Sequence, residues 1–123
     1  MDKISPEIET RLKSSQNIWL ATVRPDGRPH LAPVWFAWLS GKLYVCIEPT
    51  SVKGENIALN PRVALSLEEG LHPVILEGLA APVPEPWPEE VLSIFLKKYE
   101  WDLKVEARYT QLLEVIPQKI MAW

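Results

Sequence analysis

The chain has a single cysteine, Cys46, so no intrachain disulfide can form, and a reducing compartment is the expected setting. Its two histidines, His30 and His72, lie far apart and lack the paired spacing of a zinc site, so no metal is expected. Neither charge sign dominates: the formal net charge is -3, with acids and bases interspersed. That leaves no basic stripe for a phosphate backbone, so nucleic acid is excluded as a partner. No run approaches the roughly 20 apolar residues of a membrane span, and MDKISPEIETRLKSS holds no apolar signal core. A soluble, cytoplasmic protein is expected, without a membrane partner. Gly-rich phosphate loops and GxSxG or Cys-His nucleophile motifs are also missing, so hydrolysis by a protein nucleophile has no support.

What the chain does have is proline and tryptophan, twelve and six, spread along its length instead of massed in a low-complexity tract. That spread, with 123 residues and 47% hydrophobic side chains, describes one ordered domain over residues 1–123. Ser5-Pro6 before Ile8 and Leu12 is an N-cap, an N1 proline and an i, i+4 apolar pair, which predicts a short opening helix lying over the sheet like a lid. Ile18 to Val23 reads as a strand, turned back by Arg24-Pro25-Asp26-Gly27-Arg28. In the returning strand, Pro29 to Leu39, both alternating faces are apolar, so both need cover, and the outer cover is a second subunit or a flat ligand. Pro33 cannot donate to a ladder and marks an edge or a bulge.

Ser40-Gly41 is a tight turn leading to a strand over Lys42 to Ile47. Val52 to Asn60 reads as a short helix, Arg62 to Glu68 and Val74 to Val83 as strands, and Pro88 to Tyr99 as a helix. Leu112 to Ile116 and Lys119 to Trp123 close the sheet. The pattern is mainly β, an α+β chain whose six or so strands and short flanking helices suggest a small closed antiparallel barrel.

The most informative segment for chemistry is Thr50-Ser51-Val52-Lys53-Gly54-Glu55-Asn56. Thr50 and Ser51 supply capping hydroxyls, the first backbone N–H groups are free, and Lys53 sits where the helix dipole disfavours a cation. A bound phosphate would reverse that penalty; otherwise Lys53 is a solvated surface charge. Cys46 reads as a small buried hydrophobe, and His30 as either a general acid-base or a structural residue.

Taken together, these residues resemble a family. Thr22-Val23-Arg24-Pro25-Asp26-Gly27-Arg28-Pro29-His30-Leu31-Ala32-Pro33-Val34-Trp35-Phe36 is similar to the opening hairpin of the pyridoxamine 5'-phosphate oxidase-like FMN-binding split-barrel proteins. Lys53 and Asn56, then Asn60-Pro61-Arg62-Val63, resemble the family's lysine-then-asparagine pattern, and Ile116 to Trp123 resembles its closing strand and aromatic end. The resemblance implies a six-stranded split barrel that forms a homodimer, with FMN bound in clefts shared by the subunits. It places Ser51 and Lys53 near the phosphate, the backbone of Pro33, Val34, Trp35 and Phe36 along the flavin ring, and Trp123 near the cleft. Val52 stands where many members carry an arginine, so Arg24, Arg28 or Arg62 would supply the second charge. The implied activity is that of a flavin-dependent oxidoreductase on an unknown small substrate. Its alternatives are a deazaflavin-dependent reductase and a non-enzymatic dimer that binds flavin or another hydrophobic ligand.

Overall fold

A computed structural model describes residues 4–123. In chain order the elements are α1 (Pro6–Ser14), β1 (Ile18–Val23), β2 (Pro29–Val34), β3 (Ala37–Leu39), β4 (Lys42–Ile47), α2 (Val52–Leu59), β5 (Arg62–Leu67), β6 (Val74–Pro82), α3 (Glu89–Tyr99) and β7 (Gln111–Ala122). Ser5 caps α1 through the Ile8 amide, as its sequence requires. The strands form one antiparallel sheet in the order β2-β1-β5-β6-β7-β4-β3. The sheet curls around a core containing Ile18, Leu20, Phe36, Leu43, Val45, Leu65, Leu76 and Val115, and Leu12 of α1 plugs that core. No helix among the described residues is long and apolar enough to cross a membrane.

Seven strands stand where about six were expected, and the run Pro29 to Leu39, read as one strand, breaks at Trp35-Phe36. Its first half pairs with β1 at one edge of the sheet and its second half with β4 at the other. The two residues of the break therefore cross between the edges and close the split barrel. The closing segments, by contrast, merge into one strand, β7, which passes Pro117 on a bulge opposite Glu77-Gly78. Pro33 lies on the edge strand, where its missing N–H leaves no ladder bond unmade.

Ser40 and Gly41 both adopt positive φ (53° and 78°), the paired left-handed geometry that matches the twist of a two-residue hairpin. β4 is buried on both faces: Leu43, Val45 and Ile47 enter the barrel, while Tyr44 and Cys46 pack under α3 with Val91, Phe95 and Leu112. α3 ends at Glu100, whose left-handed backbone (φ 56°) turns Trp101 back toward the helix.

At the crossing, the Phe36 backbone has left both ladders and takes its partners from the end of α3. The Phe36 N–H donates to Tyr99 Oη (3.0 Å), and the Tyr99 hydroxyl donates to the Gln16 carbonyl (2.7 Å), with the Phe36 carbonyl at 3.1 Å. Lys98 Nζ also donates to that carbonyl (3.1 Å) and sits 3.9 Å from the centroid of the Phe36 ring. Tyr99→Phe removes the donor to Gln16 and the acceptor of the Phe36 amide, which should cost about 1–3 kcal/mol in chemical denaturation.

Burial depresses the Lys98 ammonium to about 8 from its ordinary 10.5. Below pH 8 the charged form, with its desolvation penalty, is present in the folded chain. Between pH 8 and about 10.5 the unfolded chain binds more protons, so the Lys98 contribution to stability rises with pH across that window. Tyr99, pushed up to about 12 by burial, acts in the opposite direction above pH 10. The difference in unfolding free energy between the protein and Lys98→Met, measured from pH 7 to 10, should therefore move in favour of the lysine as pH rises.

Candidate functional site

The segment after β4 is shaped by Glu48 and Pro49, whose carbonyls lie so close to α2 that a Cβ on Gly54 would meet them at 2.8 and 2.7 Å. Only glycine lets the first turn of α2 sit this near the strand end. Ser51 Oγ accepts from the Gly54 amide (3.2 Å) and donates to the Glu48 carbonyl (2.7 Å), while the Ser51 carbonyl accepts from the Glu55 amide. The first two amides of the helix, those of Val52 and Lys53, are left without an intrahelical partner. Lys53 is half-buried and makes no ion pair within 4 Å among the described residues. Asn56, three residues on and therefore on the same face of α2, is buried and donates to Thr22 Oγ1 on β1 (3.0 Å).

Register places His30 directly opposite Thr22 on the inner face of β2, beneath the same turn of α2. The His30 Nδ1 atom is buried without a partner. Burial, followed by the charges of Arg24 and Lys53, holds the ring below the ordinary histidine range. Arg24 donates to the Pro29 carbonyl (2.7 Å) across the hairpin turn.

A hollow of about 510 Å³ opens beside this turn, lined by Pro33, Val34 and Trp35 on one side, by Cys46, Trp101 and Tyr109 on another, and by Asn17 and Lys53. That size suits a small-molecule site with few polar groups. Trp35 stacks on Tyr99 (ring centroids 4.5 Å, 7° between planes) and meets Trp101 edge-on at 5.7 Å. Trp101 in turn meets Tyr109 at 5.5 Å, and its indole N–H donates to Glu106 Oε1 (2.7 Å), which fixes the ring. Arg108 ties this loop to Glu48 (3.0 Å). Cys46 donates to the Tyr109 carbonyl, and burial pushes its thiol up to about 12, so it remains protonated and inert as a nucleophile.

The structure thus brings Lys53, Pro33, Val34 and Trp35 into one hollow. Ser51 acts as the cap beside it, and Thr50 is exposed on the preceding turn. Phe36 is wholly buried in the barrel core, and the amide of Asn56 is used within the fold. Arg28 pairs with Asp26 (2.8 Å) at the tip of the β1–β2 turn. Trp123 is 72% exposed and lines a different, larger hollow of about 890 Å³ with Ile8, Arg11 and His72. That larger space carries Glu7, Glu68 and Glu69, and its Arg11 is paired with Glu69 (3.7 Å), so among the described residues the smaller hollow is the one with an unpaired cation at a helix N-terminus.

Trp101, Tyr109 and Tyr99 escaped sequence reasoning because nothing local marks a residue that reaches a site fifty or more positions earlier in the chain. Among the described residues, no cluster of histidine, cysteine or carboxylate side chains could hold a metal.

The fold recurs in solved structures. A conserved hypothetical protein from Mycobacterium tuberculosis is 28% identical, aligned over 100% of this chain and 86% of that one, with a TM-score of 0.79. An F420 reductase is 26% identical over 96% of this chain and 98% of its own (TM-score 0.75). The heme storage protein HutZ from Vibrio cholerae shares the fold at 18% identity over 98% and 95% of the two chains, with a TM-score of 0.80. No curated protein matches in sequence. The family profile described as pyridoxamine 5'-phosphate oxidase matches residues 4–123, every residue whose structure is described here. A curled antiparallel sheet with a capped lysine-bearing helix after β4 accords with that match, and the chain belongs to the pyridoxamine 5'-phosphate oxidase family.

Proposed function

We propose that the protein is an oxidoreductase that holds a flavin-type cofactor, FMN in the first reading, with the cofactor phosphate at the N-terminus of α2. The observation that carries this reading is Lys53: a half-buried cation with no ion pair among the described residues, in the first turn of a helix, at the rim of an apolar hollow. A cation there opposes the helix dipole until an anion arrives, and the Val52 and Lys53 amides then find their acceptor. The orphaned His30 Nδ1 beneath the same turn fits a site built for a polar group that the chain itself does not supply.

In this reading the chain's own groups bind and orient. Lys53 and the α2 amides hold the phosphate, Ser51 fixes the helix end that presents them, and the β2 surface at Pro33, Val34 and Trp35 supports the ring. The bound cofactor supplies the hydride chemistry, so no catalytic acid from the chain is required. Trp101 and Tyr109 restrict water at the far side of the hollow. The likeness to the F420 reductase, extending over nearly the whole of both chains, favours a deazaflavin coenzyme as the second reading. HutZ, at 18% identity, lends this chain its fold and no ligand.

A homodimer belongs to the same proposal. The outer face of the sheet exposes two pairs of large apolar side chains, Trp19 with Leu31 (61%) on β1 and β2 and Leu79 with Ile116 on β6 and β7, with Arg62 and Ser66 of β5 between them. A surface of that kind on a small domain calls for a partner, and an obligate pair buries roughly 2,000 Å² or more. Trp123 lies away from Lys53 within its own subunit, so a place for it beside the cofactor rests on the dimer. Sedimentation should show a dimer at micromolar concentration, and a monomer there would overturn the assignment.

The cofactor reading is tested by titrating FMN and riboflavin against the protein and Lys53→Ala, following flavin fluorescence. Loss of a charge-assisted contact should weaken FMN by about 1.5–3 kcal/mol, roughly ten- to more than a hundredfold, with riboflavin unchanged. Equal losses for both ligands would make Lys53 a pocket-shaping residue, and no loss would return it to solvent.

A further inference from the structure

We infer that the loop between α3 and β7 selects the substrate: Trp101 and Tyr109, held in place by Glu106, form with Trp35 an aromatic wall that takes a flat, uncharged ring compound. The inference rests on the cofactor reading above, with the substrate beside the cofactor in the same hollow. Residues 100–110 need only join the end of α3 to the start of β7, yet side chains fasten them at several points. Glu106 does most of this. Its Oε1 accepts from the indole N–H of Trp101 (2.7 Å), and its Oε2 accepts from the amides of Arg108 (2.8 Å) and Tyr109 (3.3 Å). Those donors, Trp101 first, hold its carboxyl below the ordinary glutamate value. Leu103 is buried under α3, and the far end of the loop is tied to the end of β4 twice, by the Cys46 thiol donating to the Tyr109 carbonyl (3.2 Å) and by Arg108 pairing with Glu48 (3.0 Å). Glu106 does not line the hollow; one carboxylate positions the two rings that do.

The wall has a shape and a charge preference. Tyr99 covers one face of Trp35, which is still 46% exposed and lines the hollow. Trp101 meets Trp35 at 74° and Tyr109 meets Trp101 at 88°, so the rings turn two corners and offer a planar guest both the faces and the edges that aromatic pairs use. Aromatic faces also attract cations, but Lys53 lines the same hollow and no carboxylate does, so a cationic guest is repelled without compensation. An anionic substrate is no better served, because in the cofactor reading the charge of Lys53 is already taken by the phosphate. What remains is an uncharged ring, received by Pro33, Val34 and a protonated thiol, with Asn17 the one side-chain amide in the lining.

The test is calorimetric titration of ring probes into the protein, with and without saturating FMN: 2-naphthol, flat and uncharged; decahydro-2-naphthol, its puckered counterpart; and 2-naphthylmethylammonium, the flat ring with a positive charge. 2-Naphthol should bind about tenfold more tightly than either of the others. Trp101→Leu should weaken 2-naphthol about tenfold and Glu106→Ala about three- to fivefold, while Glu106→Gln, which keeps an acceptor for the indole N–H, should recover most of the Glu106→Ala loss. FMN and riboflavin affinities should be unmoved in these variants, which also reports an intact fold. Because Trp101 packs edge-on against Phe95 (5.6 Å), Tyr109→Leu supplies the same measurement should Trp101→Leu fail to fold. Equal affinity for the flat and puckered probes, tighter binding of the cation, or wall variants that leave 2-naphthol unmoved or weaken FMN and riboflavin along with it would overturn the inference, and the cofactor reading then stands as long as Lys53→Ala loses FMN selectively. If Lys53→Ala shows no selective loss, the cofactor reading falls and the substrate role of the wall falls with it.

Discussion

Everything in this structure depends on how two backbone groups of Phe36 are satisfied. A sheet that curls until its edges are joined by Trp35 and Phe36 must take those residues out of both ladders, and a buried amide or carbonyl without a partner is costly. The side chains of Lys98 and Tyr99, at the end of α3, meet that need, and the same Tyr99 hydroxyl reaches back to Gln16 before β1. One helix end therefore pins the start of the sheet to its closure. The stack of Trp35 on Tyr99 then fixes a wall of the hollow as a by-product of closing the barrel. Site geometry and fold closure are the same set of contacts seen from two sides.

Electrostatics divide the site along the line of α2. On the aromatic side the hollow has no carboxylate among its lining residues, and its thiol is held neutral by burial. On the helix side, Lys53 makes no ion pair within 4 Å among the described residues, and the close approach of Gly54 to Pro49 packs the helix end against the strand end. That arrangement is unfavourable for the bare chain and becomes favourable when an anion with an apolar body is added. Under the proposed function, a ligand carrying both halves would be selected by charge at one end and by flat apolar surface at the other.

Much of this was legible from local signals. Alternation and turn residues placed β1, β4, β5 and β6; Ser5-Pro6 and Ser51 marked helix starts; and Lys53 stood out because its position conflicts with the helix dipole. The run Pro29 to Leu39 reads as one strand because both faces are apolar and neither Trp35 nor Phe36 is a turn former. Its break is imposed from Lys98 and Tyr99, some sixty residues downstream, and no local pattern encodes that. Pro117 divides the closing strand in sequence but not in space, since a bulge opposite Gly78 absorbs it. The aromatic wall was hidden for a related reason: Glu100 takes a left-handed cap position where glycine is usual, so nothing announced that Trp101 turns back. Arg28 reads from the sequence both as a turn residue and as a candidate for the second charge beside the phosphate, and in the structure it pairs with Asp26, two positions away.

The strand order also dictates when the sheet can exist at all. Hairpins of β1 with β2, β3 with β4 and β5 with β6 join neighbours in sequence and can form early. β7, however, lies between β6 and β4, so the curl that carries one edge toward the other waits for Gln111–Ala122 to arrive. Until then β4 and β6 both present unpaired edges to the cell, each flanked by apolar surface. During synthesis such a chain passes through an association-prone interval before β7 emerges, and the arrival of β7 removes two open edges in a single step.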